Sequence, residues 1–225
     1  MASNEEELIV ALNTVNDGDI INLNGVITLT SQLNIDKNVT IQNGVIEGSS
    51  LNITAKEVTI QNVSFSGLMN GNEIQESYIY ANNFYGILSI SNCSFIDAEW
   101  EAIQIVPTRG ANIIIESCNF YTGNANQQRY VHIEGNKDEI CDCRITIVNN
   151  TFYNLEMLDS ADGTQNNGEA VGIYYCNLDN VELLTNGFYG NLTIEDLRAK
   201  VCISNEAPWQ ASERMLESNN FNSLM

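Results

Sequence analysis

Gln104, His132 and Glu134, with Tyr130 and Tyr174, are the residues of this chain whose types and spacing could do chemistry together. They fall in segments that share an alternating pattern: Ala102-Ile103-Gln104-Ile105, Tyr130-Val131-His132-Ile133, Ala170-Val171-Gly172-Ile173 and Lys200-Val201-Cys202-Ile203. Apolar residues at every second position describe strands with one buried face, so the positions between them point outward. Alignment puts Gln104, His132, Gly172 and Cys202 in one outward column and Val106, Glu134, Tyr174 and Ser204 in the next, with Tyr130 and Lys200 in a third. A histidine beside a glutamate can tune its proton affinity or grip a ligand, and a pair of tyrosines can stack on a sugar ring. The constellation is one for binding a ligand. His132 is the one histidine of the chain and has no adjacent Ser or Cys partner, so nucleophilic catalysis is not expected.

Metal chemistry has weaker support. The most acidic loop runs from Asp159 through Asp162 to Glu169. In the spacing of a helix-loop-helix calcium site, Asp162, Gly163 and Glu169 match, but Leu158 stands where the first carboxylate belongs. Asp159, Asp162 and Glu169 are therefore the candidate calcium ligands, and no cofactor is expected otherwise. Cys141 and Cys143 form a C-x-C pair without a second pair or a histidine cluster at zinc spacing.

What must position these residues is a frame of apolar, any, apolar, any, Asn-like, any, any, then Phe or Ile. It recurs as Val39–Ile41–Asn43–Ile46, Val58–Ile60–Asn62–Phe65, Leu88–Ile90–Asn92–Phe95, Ile113–Ile115–Ser117–Phe120 and Ile145–Ile147–Asn149–Phe152. Looser copies are Val181–Leu183–Thr185–Phe188 and Arg214–Leu216–Ser218–Phe221. The frame is rigid while the steps between copies vary from roughly 19 to 36 residues, as stacked strand-turn-strand units joined by elastic loops require. Asn43, Asn62, Asn92 and Asn149 mark sharp corners, because asparagine tolerates the left-handed backbone best after glycine. Their amides should bond to one another along the stack, at a buried corner. Cys93 and Cys118 share one offset in successive copies, as small apolar residues filling equivalent places. With the second strand register, the order is strand, turn, frame strand, corner, Phe strand and loop: a parallel β-helix.

Ser3 and Asn4 each precede a glutamate by three positions, so two capping boxes compete ahead of the helical stripe Leu8–Leu12–Val15. A short helix over 3–16 should lid the apolar stack. The net charge of −20, from 29 acidic and 9 basic residues, argues against nucleic acid and anionic membranes as partners. No apolar run reaches the ~18 residues of a membrane span, and no signal peptide is expected. Six cysteines without such a signal read as reduced thiols.

The stretch Asp17-Gly18-Asp19-Ile20-Ile21-Asn22-Leu23-Asn24-Gly25, leading through Leu33-Asn34-Ile35-Asp36-Lys37-Asn38-Val39-Thr40-Ile41, resembles the first rungs of the pectate-lyase-like superfamily. The resemblance implies an all-β, single-stranded right-handed parallel β-helix of about seven rungs, with 1–225 as one domain, a cap helix over 3–16 and rungs over 20–222. That superfamily contains lyases, hydrolases, esterases, adhesins and viral tail or capsid proteins, so fold does not decide activity. Of the signatures of its enzymes, Gly-His-Gly, an adjacent Asp pair and Gly-Tyr-x-Asp-Thr do not occur, and Arg-x-Lys occurs once, as Arg198-Ala199-Lys200. The expected function is a structural or interaction protein of a virus or phage particle: a capsid decoration, fibre or tail-associated β-helix made in the host cytoplasm. Its partners would be other virion or surface proteins, glycans, or a second copy docking on the C-terminal rung, for which no covering helix is foreseen. The alternatives are a polysaccharide lyase or hydrolase working in a groove on one strand face, and a non-catalytic carbohydrate-binding or adhesive domain.

Overall fold

The structure, a computed structural model, describes residues 1–68, 77–123, 127–158, 168–207 and 209–225. It is mostly β, built on two parallel sheets of thirteen and seven strands, and opens with a short helix.

The repeated frame builds the larger sheet. Val39 lies opposite Val58, and the pairing continues through Leu88, Ile113, Ile145 and Val181. The closing residues pair likewise, in the order Ile46, Phe65, Phe95, Phe120, Phe152, Phe188 and Phe221. From Phe65 to Phe221 the rings stack with centroids 4.8–5.0 Å apart. That is the spacing of neighbouring strands, so the rings follow the backbone. Burying each of the rings from Phe65 to Phe188, all fully buried, contributes roughly 1.5–3 kcal/mol, while Phe221 is partly buried.

Every copy up to Thr185 turns its corner through a left-handed residue, with φ between 52° and 60° at Asn43, Asn62, Asn92, Ser117, Asn149 and Thr185. The corner side chains differ from expectation: all four asparagines are exposed. Bonds along their column are patchy, from Asn62 Nδ2 to Asn43 Oδ1 (3.4 Å) and Thr185 Oγ1 to Asn149 Oδ1 (2.6 Å). The buried ladder lies one residue later. At that offset the chain carries Gly44, Val63, Cys93, Cys118, Asn150, Asn186 and Asn219. Asn150 Oδ1 accepts from the Cys118 amide (2.8 Å), and its Nδ2 donates to Ile115 O (2.9 Å) and Asn186 Oδ1 (3.0 Å). Asn186 repeats this between Ile147 O and Asn219. Cys93 and Cys118 fill the apolar part of the same column, and all six cysteines are free and buried.

The smaller sheet takes Leu33–Ile35, Leu51–Ile53, Ile79–Phe84, Glu101–Pro107, Arg129–Glu134, Glu169–Tyr174 and Val201–Ile203 in chain order. Here Tyr130 departs from the expected outward column. It is fully buried, packs against Phe120 and Phe152, and donates its hydroxyl to Tyr153 O. Tyr130 and its equivalents, at the second position of the strands Glu101–Pro107, Arg129–Glu134 and Glu169–Tyr174, belong to the core rather than to the outer face. Along the stack that position alternates Tyr78, Ala102, Tyr130, Ala170, so a large ring fills the space beside two phenylalanines and a methyl follows. Lys200, at the same offset, instead sends Nζ to Leu158 O (3.3 Å).

The ends are helical. Asn4, not Ser3, caps the helix Glu5–Thr14: its Oδ1 accepts from the Glu7 amide (2.9 Å), while Glu7 reaches back to the Ser3 amide (2.8 Å). Leu8 and Leu12 enter the core as the stripe requires. An eighth copy of the frame, hidden in the sequence, lies directly beneath: Ile21 pairs with Ile41 and Ile27 with Ile46. One extra residue between Ile21 and Ile27 disguised it, absorbed where Gly25 takes φ 89°. At the other end the last copy is strand only around Phe221, because Glu213–Glu217 is helical. This helix and Ile194–Ala199 bury Leu216 and Leu197 against the final strands, so helices do cover the C-terminal rung.

Candidate functional site

The outer face of the smaller sheet collects the polar residues. Gln104 lies opposite His132, His132 opposite Gly172 and Gly172 opposite Cys202, as the alignment predicts. Glu134 lies opposite Tyr174. His132 is nearly buried, and its Nε2 is 3.1 Å from Glu134 Oε2. That hydrogen bond, working against partial burial, holds the Glu134 carboxyl below the usual carboxylate range. Gln104 Oε1 and His132 Nδ1 are buried without a partner among the described residues.

A second column, three residues earlier on each strand, was not singled out from the sequence. Glu101 lies opposite Arg129, and Arg129 opposite Glu169. Arg129 Nη1 donates to Glu101 Oε1 (3.1 Å) and Nε to Glu169 Oε2 (3.0 Å). Tyr174 completes the cluster, donating to Glu169 Oε1 (2.6 Å). Burial works against the Arg129 charge, yet the two carboxylates outweigh it and raise its proton affinity. Burial and the Glu169 charge push the Tyr174 hydroxyl far up. The neighbouring Cys202 thiol is pushed up to about 12, by burial first and then by Glu169. Gly172 makes this folding-over feasible, since a Cβ there would sit 2.3 Å from Glu169 Oε2. Trp209 closes the face, with its ring edge-on to Tyr174 at 5.3 Å.

Chemically, the groups of the cluster are engaged with one another. A carboxylate pair can run glycoside hydrolysis when water or substrate stands between the two. Here the Arg129 guanidinium fills that place. Cys202 is two strand spacings, roughly 9–10 Å, from His132, beyond the reach of a nucleophile and its base. Glu169, a candidate calcium ligand, has both oxygens engaged by Arg129 and Tyr174. The other two candidates, Asp159 and Asp162, lie outside the described residues. Among the described residues no group of His, Cys, Asp and Glu is arranged to hold a metal ion.

Of the residues expected to meet, the structure gathers Gln104, His132, Glu134 and Tyr174 and removes Tyr130 to the core. The sequence carried a signal for the missed column: Glu101, Arg129 and Glu169 alternate in sign at one offset from Ile103, Val131 and Val171. Past the end of this face opens a cleft of about 620 Å³, bounded by the turn at 108–110, the segment 135–142 and Tyr175. The chain matches no family model, no curated protein and no solved structure. No helix among the described residues is long and apolar enough to cross a membrane.

Proposed function

We propose that this chain is a right-handed parallel β-helix of the pectate-lyase-like kind, serving as a non-catalytic structural or interaction protein, with a virus or phage particle as its setting. The observation that carries the non-catalytic reading is the mutually engaged cluster: Arg129 is spent on Glu101 and Glu169, Tyr174 on Glu169, and His132 on Glu134. Acid, base and nucleophile are each already engaged or held protonated. The in-register columns support the coil, and the resemblance of residues 17–41 supports its hand and its kinship. The particle setting rests on that resemblance together with the absence of Gly-His-Gly, an adjacent Asp pair and Gly-Tyr-x-Asp-Thr from the sequence; the one Arg-x-Lys begins in the helix Ile194–Ala199, where Arg198 is paired with Glu213.

Two measurements on one preparation test the reading. Mass in solution and binding to particle components should show assembly or a specific partner. A strict monomer at high concentration without affinity for any such component counts against the interaction role. Plant, algal and bacterial polysaccharides, offered with and without calcium, should not be turned over. Cleavage that disappears in His132→Ala or Glu134→Ala establishes the polysaccharide-cleaving alternative instead.

A further inference from the structure

We propose that the cleft beyond the polar face is a binding site for a small organic oxyanion: a carboxylate, sulfate or phosphate group carried on a ring or other apolar body. The charge pattern points there. Of the nine cationic side chains, Arg129, Arg144 and Arg198 are in ion pairs, Lys56 lies over the Tyr85 ring, and Lys200 donates to Leu158 O. Among the described residues this leaves Lys37, Arg109, Lys137 and Arg214 without a side-chain partner, and Arg109 and Lys137 line this one cleft. Three carboxylates share the cleft, and of these Glu139 has no side-chain partner among the described residues. Glu134 is held by His132, and Asp142 Oδ1 accepts from Asn177 (3.2 Å) and Asn180 (3.0 Å). On a chain of net charge −20, two free cations face one free carboxylate, Glu139, at this concavity.

The cations stand on the ends of paired strands, Arg109 after Glu101–Pro107 and Lys137 after Arg129–Glu134. A guanidinium presents a fork that fits an oxyanion, and an ammonium adds a point charge. The same cleft has an apolar part, made by Val106, Pro107, Ile140 and Tyr175. A second observation concerns the cleft's backbone. Tyr175 holds φ 52°, a conformation costly for a bulky residue and found where structure over-determines it. Trp209 braces it edge-on at 5.8 Å, and across from it a Cβ on Gly135 would lie 2.4 Å from Tyr175 O. The cleft is thus of a volume, about 620 Å³, and a rigidity that suit a small ligand.

The test titrates the full chain calorimetrically, at low ionic strength and neutral pH, with benzoate, phenyl sulfate, phenyl phosphate and inorganic phosphate. At least one aryl anion should bind, and the strongest identifies the preferred head group. Inorganic phosphate, which lacks the ring, should bind about tenfold more weakly than phenyl phosphate. Arg109→Ala and Lys137→Ala should each weaken the best aryl anion about tenfold, the worth of one charge-assisted hydrogen bond. Arg109→Lys should recover part of the loss. Lys37→Ala and Arg214→Ala remove equally free cations elsewhere and should change nothing. No aryl anion binding below about 10 mM, equal binding of phenyl and inorganic phosphate, or equal weakening by Lys37→Ala would each overturn the assignment.

Discussion

Replacing Asn150 by alanine should cost far more stability than replacing Asn149, although Asn149 is the residue that turns the corner. Asn150 is 1% exposed. Its loss leaves the Cys118 amide without its acceptor at 2.8 Å and the Ile115 carbonyl without its donor at 2.9 Å. Each orphaned buried group costs about 1–3 kcal/mol, so the pair costs about 2–6 kcal/mol. At Asn149 alanine must hold a left-handed backbone of φ 57°, for about 1–2 kcal/mol. Asn149→Gly removes that strain and should be close to neutral. Urea unfolding resolves the three variants through their midpoints, provided the slope stays constant. An Asn150→Ala variant as stable as the parent, or less damaged than Asn149→Ala, would refute the argument that the inner column carries the ladder.

The Glu101–Arg129–Glu169 cluster makes a contrasting prediction. Arg129→Met alone strands two buried carboxylates and should destabilise by up to about 3–5 kcal/mol, the range for breaking a buried pair, whereas replacing all three by apolar residues should be near neutral. Comparing the two melts decides whether Arg129 holds both carboxylates as described. Glu134 supplies a pH dependence: its folded pKa lies below the unfolded value, so its contribution is present above about pH 4.3 and is lost as pH falls through the folded value. Denaturation across pH 3–6 should therefore show the gap between wild type and Glu134→Gln closing as the solution is acidified, and a gap that widens would contradict the His132 hydrogen bond. Thiol reactivity is a further check. With all six cysteines buried and burial pushing Cys141 and Cys202 up to about 12, a disulfide reagent at pH 8 should react slowly until the protein unfolds, and a thiol reacting within seconds would be inconsistent.

How much of this was legible follows from where each signal lives. The Ile, Val and Phe columns were readable because burial imposes one residue type at one offset, copy after copy. The left-handed corner was readable for the same reason, and it held even at Ser117 and Thr185. The inner column was not, because its occupants run from Gly44 through Val63 and two cysteines to asparagine. Position there requires only that the residue be small or satisfy the main chain, and composition does not announce such a rule. Tyr130 was misplaced because strict alternation was carried to the start of the strand, where Tyr130 and Val131 are both buried and the alternation fails. The helix Glu213–Glu217 was read as strand because Arg214–Leu216–Ser218 fits the frame, and one helical turn leaves no longer pattern to contradict it. At the candidate site, the His132 and Glu134 columns followed from period alone. The cleft did not, since Arg109, Lys137 and Tyr175 come together only through turns.

The claim beneath all of this is that successive copies of the frame stand directly above one another. Thr40, Thr59, Ser89, Ile114, Thr146 and Glu182 occupy its second position and pair in that order. Five strand spacings put Thr40 and Glu182 about 24 Å apart. Pulsed electron-electron distance measurement on Thr40→Cys/Glu182→Cys, carrying spin labels, should give one narrow population near that separation, and Thr40→Cys/Thr146→Cys one shorter by about 5 Å. A broad distribution, or a Thr146 pair as long as the Glu182 pair, would contradict the stack.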